Sequence, residues 1–192
     1  ANRQAALIAQ WSGIGFVHGV MNTDNMSVSG ETIDFGPCAF IDHFDPDAVF
    51  SSIDHNGRYA FSNQPKILAW NLARLAECLL PFVVPDADKA VAKSMEIIEA
   101  IPARYADVRN AVMARKLGFT APVQSGATLA DRLLAHMADE QLDHTNTWRL
   151  LSESAGEPDF AAIFTDRPRI DAWLADWQST LVSEGTTPQS AQ

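Results

Sequence analysis

The stretch His18-Gly19-Val20-Met21-Asn22-Thr23-Asp24-Asn25, followed after a short interval by Asp34-Phe35-Gly36-Pro37, decides how this sequence reads. Between the two segments, Met26-Ser27-Val28 and Glu31-Thr32-Ile33 flank Ser29-Gly30. Two short alternating runs around a turn pair predict a tight β-hairpin. Such a hairpin carries Asn25 at one end and Asp34 at the other, so an amide oxygen and a carboxylate meet at one edge. Magnesium prefers one or two oxygens of this kind, completed by phosphate oxygens and water. Asn25 and Asp34 are therefore candidate metal ligands and, through the metal, candidate contacts to a nucleotide. Asp24 places a second carboxylate beside Asn25. Each piece has an ordinary reading when taken alone: Asp24-Asn25 as an Asx turn, Asp34 as a cap before Gly36, His18 as packing. Their ordered spacing around a hairpin points to chemistry.

Upstream of this window, residues 1–11 read as a helix with Leu7, Ile8 and Trp11 on one face, ended by Gly13 and Gly15. Downstream, residues 38–65 hold no sustained period and predict a long loop, a class that is usually functional. Residues 66–80 read as a helix whose polar stripe is thin (Asn71, Arg74, Glu77), so most of its circumference is expected to be buried, with Pro81 and Pro85 ending it. Asp86-Ala87-Asp88 opens another helix, Pro102 breaks or restarts it, and a further helix runs to about Lys116 before Gly118. Residues 128–139, 141–152 and 168–182 complete the helical set. The last carries Ile170, Trp173, Leu174, Trp177 and Leu181 at helical spacing, a strong amphipathic stripe. Residues 183–192 are polar and expected to fray.

The 192 residues suffice for one domain with a sizeable core, and 47% of them are apolar. No apolar run approaches the roughly 20 residues that span a bilayer, so no membrane role is expected. The net charge of −10 argues against nucleic acid as the main partner. It also means that a polyphosphate would need a cation for its retention. Only four lysines occur, Lys66, Lys89, Lys93 and Lys116, and none precedes the first motif. Cys38 and Cys78 make no disulfide framework and no zinc pattern, and are expected to be two buried, reduced thiols.

Protein kinases use H-R-D-x-x-x-x-N and then D-F-G, where the Asn and the second Asp hold magnesium and the first Asp serves the acceptor hydroxyl. His18 to Asn25 keeps that His-to-Asn spacing, and Asp34-Phe35-Gly36 supplies the second motif. Val20 stands where the catalytic Asp would be, and it cannot accept a proton. With that departure the run GFVHGVMNTDNMSVSGETIDFGP (residues 15–37) resembles the signature segment of the selenoprotein O family of protein adenylyltransferases. The run DHNGRYAFSNQPKILAWNLARLAECLLP (residues 54–81) is similar to the same family.

The resemblance implies a mainly α fold with a small β-hairpin, forming the C-terminal lobe of a protein-kinase-like domain. That lobe would cover residues 1–182, with the catalytic loop and hairpin at 16–37, an activation-like segment at 38–65 and a helical part at 66–182. It implies metal-dependent AMPylation, the transfer of AMP from ATP to Ser, Thr or Tyr hydroxyls of proteins, with the nucleotide lying in a flipped orientation. By position, Asp24 resembles the catalytic base, and Asn25 and Asp34 resemble the ligands of Mg2+ (or Mn2+). The family's N-terminal lobe, with a Lys–Glu pair and phosphate-gripping arginines, has no counterpart here, nor has its redox-active C-terminal Cys. The chain therefore reads as a C-terminal-lobe fragment, expected to be inactive alone, from a bacterial cytoplasmic or eukaryotic mitochondrial protein. Two other classes compete. A phosphotransferase with an H-G-D-x-x-x-x-N motif is opposed by Val20, and a non-catalytic pseudokinase module is opposed by the retained Asn25 and Asp34.

Overall fold

The computed structural model describes residues 1–120, 124–154 and 158–185. The expected fraying of the tail falls, beyond residue 185, outside the described residues. The architecture is mainly helical, with one small antiparallel sheet of two strands, β1 (Phe16–Val17) and β2 (Ala39–Phe40). Eight helices are described: α1 (Asn2–Ile14), α2 (Gln64–Val83), α3 (Ala87–Glu99), α4 (Ile101–Lys116), α5 (Gln124–Asp139), α6 (His144–Ser154), α7 (Pro158–Ala162) and α8 (Arg167–Ser183).

The chain divides into two compact units. The first comprises Ala1–Ser12, Phe16–Ala39 and Asp47–Arg109. Its core gathers Ala5, Ile8 and Trp11 of α1, Phe16 of β1, Met21 of the loop that follows, Ile67 and Leu68 of α2, and Ile101 of α4. The second comprises Gly13–Gly15, Phe40–Pro46 and Asn110–Gln192. There the stripe expected on α8 is buried in full: Ile170, Trp173, Leu174, Trp177 and Leu181 all face inward. The indole N–H groups of Trp173 and Trp177 donate to Leu129 O at 2.8 Å and Leu117 O at 2.9 Å, so two large rings enter the core without orphaned donors.

Several expectations are corrected. The hairpin over residues 26–33 reduces to one antiparallel bridge, Met26 with Thr32, and the paired strands are β1 and β2 instead. Ser27, Ser29 and Glu31 bond to one another and make the interval a turn rather than a ladder. Helix α1 continues past Gly13 to Ile14, and the bare Cα of Gly13 lets Val112 approach to where a Cβ would lie 2.6 Å from it. Pro81 lies inside α2. Helix α2 is buried along its first half only, at Gln64, Ile67, Leu68 and Asn71. Its polar Asn71 belongs to that buried face, and its apolar second half is largely exposed. Cys38 is half-buried and Cys78 exposed, both as free thiols, so burial does not account for the second. The short helix α7 carried no distinct signal in the sequence.

Candidate functional site

The loop after β1 is held by side chains from three directions. His18 is fully buried, with its ring stacked on Trp11 at 5.4 Å. Its backbone N–H donates to Gln64 Oε1 at 3.0 Å, and Gln64 Nε2 donates back to Phe16 O at 3.0 Å. One buried amide at the start of α2 thus satisfies both sides of the chain where strand becomes loop. The His18 ring Nε2 donates to Ile33 O at 2.8 Å, and Val20 N reaches its Nδ1 at 3.4 Å. These contacts assign the proton to Nε2. His18 therefore ties the first motif to the residue immediately before Asp34, a positioning task that leaves no nitrogen for proton transfer.

Gly19 has φ +85°, and a Cβ there would meet Pro37 O at 2.9 Å. The left-handed backbone and the close approach of the Asp34-Phe35-Gly36-Pro37 segment both require glycine. Farther along, Asn71 Nδ2 donates to Met21 O at 2.9 Å. Asn22 Oδ1 accepts from Tyr59 Oη at 2.5 Å. Tyr59 is itself placed by Asp54, whose carboxylate accepts from Arg58 N at 2.9 Å and Tyr59 N at 2.8 Å.

Thr23, Asp24 and Asn25 then form a single 3-10 turn. Asn25 Nδ2 donates to Val20 O at 3.0 Å, which fixes the amide plane and leaves its oxygen as the end that can meet a cation. Asp24 is exposed beside it, and Val20, where a kinase has its acidic residue, is half-buried. The Met26–Thr32 bridge returns the chain, and Trp11 Nε1 holds Thr32 Oγ1 at 3.0 Å. Asp34 is exposed and has φ +55°, one of two such non-glycine residues among those described. Gly36 N closes a tight turn on Asp34 O at 2.8 Å. An unfavourable backbone conformation at a residue singled out for chemistry is what functional sites commonly retain.

The loop and bridge thus carry Asp24, Asn25 and Asp34 within one unit, at the same end of the returning chain. Among the described residues no group of three or more His, Cys, Asp and Glu side chains could hold a metal ion. The protein oxygens on offer are one amide and one carboxylate, a donor set that suits magnesium or manganese bound together with phosphate and water. Gln64, Asn71 and Tyr59 were not singled out in the sequence.

A model of the family described as "Protein adenylyltransferase SelO" matches residues 1–187. Curated relatives described as "Protein nucleotidyltransferase YdiU" are similar along nearly the whole chain. One from Bradyrhizobium sp. is 50% identical over 192 residues, covering 98% of this chain and 38% of the relative. One from Cereibacter sphaeroides is 48% identical over 185 residues, covering 96% and 38%. One from Rhizobium johnstonii is 49% identical over 193 residues, covering 98% and 38%. The chain therefore spans well under half the length of the curated relatives it matches.

Proposed function

We propose, for a chain that belongs to the family of the protein adenylyltransferase SelO, that it forms a kinase-like C-terminal lobe supplying the metal ligands and the base for AMP transfer to protein hydroxyls. The activity is proposed for the whole protein, because the chain covers 38% of its relatives. The observation that carries the reading is the pairing of Val20 with a tethered Asn25. The loop keeps a kinase's amide and carboxylate but has no proton acceptor at the kinase position, and Asp24 is the exposed carboxylate next to the retained amide.

In this reading Asn25 and Asp34 are the residues that would hold the divalent ion. A magnesium or manganese ion bound there would offset the charge of the triphosphate on an acidic protein. Asp24 accepts the proton of a Ser, Thr or Tyr hydroxyl. The freed oxygen bonds to the α-phosphorus of ATP, the bond from that phosphorus to the bridging oxygen breaks, and pyrophosphate leaves. His18, Gln64 and Asn71 keep the loop from shifting by holding Ile33 O, Phe16 O and Met21 O.

The variant Asp24→Asn tests the assignment, because asparagine keeps the turn's hydrogen bonds and removes the base. In the full-length setting, transfer should slow by roughly 10²–10⁴-fold with ATP affinity unchanged. Unchanged transfer would eliminate Asp24 as the base. Lost metal-dependent ATP binding would move it into the metal shell.

A further inference from the structure

Lys116 stands apart from the other lysines. Lys66, Lys89 and Lys93 are exposed, whereas Lys116, the last residue of α4, is half-buried. Its Nζ donates to Gly13 O at 2.6 Å and lies 4.6 Å from the centre of the Trp148 ring. Neither partner carries a formal charge. No ion pair to Lys116 occurs among the described residues. Burial lowers its pKa to about 8, with no carboxylate to hold it up. At neutral pH it is still a cation. In a protein with 24 acidic residues and a net charge of −10, an ammonium drawn out of water without a counterion is costly and out of keeping with the rest of the surface.

The same side chain lines a cavity of about 450 Å³ within the second unit, together with Ile14, Phe40, His144, Thr145 and Trp148. Burial holds the His144 ring well below its ordinary value, at about 4, so it adds no charge at neutral pH. The Asp143 carboxylate, next to it in the chain, is engaged with Asn146 N at 2.7 Å. Lys116 is therefore the only charged side chain on the wall. The walls are otherwise aliphatic and aromatic, with the Thr145 hydroxyl as a neutral donor. Apolar walls with one or two polar anchors are the composition of small-molecule sites, and the volume lies in their range. One ammonium matches one negative charge, which disfavours a polyphosphate, and it repels a metal ion. The rings of Phe40 and Trp148 favour a flat apolar body.

We propose that this cavity binds a small aromatic monocarboxylate, its carboxylate paired with Lys116 Nζ and its ring against Ile14, Phe40 and Trp148. The site is separate from the transfer chemistry: Asp24, Asn25 and Asp34 belong to the first unit, and the proposal does not depend on AMP transfer. A bound carboxylate favours the charged amine and raises its pKa, so binding above pH 8 takes up a proton.

Calorimetry of this chain with indole-3-acetate as the probe, at pH 8.5 in two buffers of different ionisation heat, tests both the site and the residue. One molecule should bind per chain with a Kd of about 0.1–1 mM. Binding should take up roughly half a proton, read from the difference between the buffers. Indole-3-ethanol, which keeps the ring and lacks the charge, should bind at least about tenfold more weakly. Lys116→Met, with a side chain of similar length, should weaken indole-3-acetate to the same degree and remove the proton uptake. Absence of binding up to about 5 mM would overturn the proposal. So would equal binding of the uncharged analogue, binding without proton uptake, or binding that survives Lys116→Met. Should the variant fail to fold, the analogue and the proton uptake of the unsubstituted chain still decide.

Discussion

At the residue scale, the proposed reading gives Asn25 and Asp34 different work in holding one ion, so their loss should differ accordingly. Asp34 contributes a full negative charge, so Asp34→Ala in the full-length protein should nearly abolish transfer and alter its metal dependence. Asn25→Ala removes a neutral amide and also frees Val20 O from its 3.0 Å partner. It should weaken metal binding less, visible as a higher metal concentration for half-maximal rate. A metal titration of both variants checks the order, and an Asn25→Ala defect deeper than that of Asp34→Ala would contradict it. The backbone of Asp34 at φ +55° adds a control, because asparagine tolerates that region better than other residues. Asp34→Asn should therefore keep the local fold while losing the charge.

At the element scale, the start of α2 anchors the functional loop through one side chain. Gln64→Ala removes the bonds to His18 N and Phe16 O, both buried. Leaving two buried backbone groups unpaired should cost about 2–6 kcal/mol, at roughly 1–3 kcal/mol for each. Chemical denaturation of this chain measures it, and a loss below about 1 kcal/mol would show that water replaces the amide. In the second unit, burial first and the nearby Lys116 second hold His144 well below its ordinary value, at about 4. The ring accepts from Trp148 at 3.3 Å and stacks on Phe44, an arrangement for the neutral form. The unfolded chain takes up a proton near 6.5 and the folded one only near 4, so stability is full above about pH 6.5 and falls as pH drops toward 4. The loss amounts to at most about 3 kcal/mol. Denaturation midpoints at pH 7 and pH 5 should differ, and His144→Gln should flatten the slope.

What was legible in the sequence at this scale followed from regular spacing. The stripe on α8 repeats at helical period, and the loop motif holds its residues at fixed intervals, so both could be read. The pairing of β1 with β2 joins two-residue strands far apart in sequence and leaves no periodic trace. In the sequence Gln64 falls in the aperiodic stretch 38–65 and Asn71 on the polar stripe of a helix, and only their burial shows that they clamp backbone. The thin polar stripe of α2 correctly indicated an apolar helix, but its first half alone is covered within this chain.

At the scale of the whole molecule, no described helix is long and apolar enough to cross a membrane. In the proposed reading the phosphate-gripping cations would belong to the part of the relatives that this chain, covering 38% of them, does not match. Of the four lysines, Lys66, Lys89 and Lys93 are exposed on α2 and α3, and Lys116 donates to Gly13 O at 2.6 Å. ATP with magnesium should therefore bind the isolated chain only weakly, near millimolar, worth about 4 kcal/mol. Micromolar binding in calorimetry would show that the chain holds its own clamp.

The central claim is that this loop serves transfer of an adenylyl group rather than a phosphoryl group. The most direct test sets this chain into the Bradyrhizobium relative in place of the matched region and supplies ATP radiolabelled at either the α- or the γ-phosphorus, with a protein acceptor. Label from the α position should appear covalently on the acceptor and label from the γ position should not, with Asp34→Ala abolishing the signal. Transfer of the γ label, or α labelling that survives Asp34→Ala, would contradict the account.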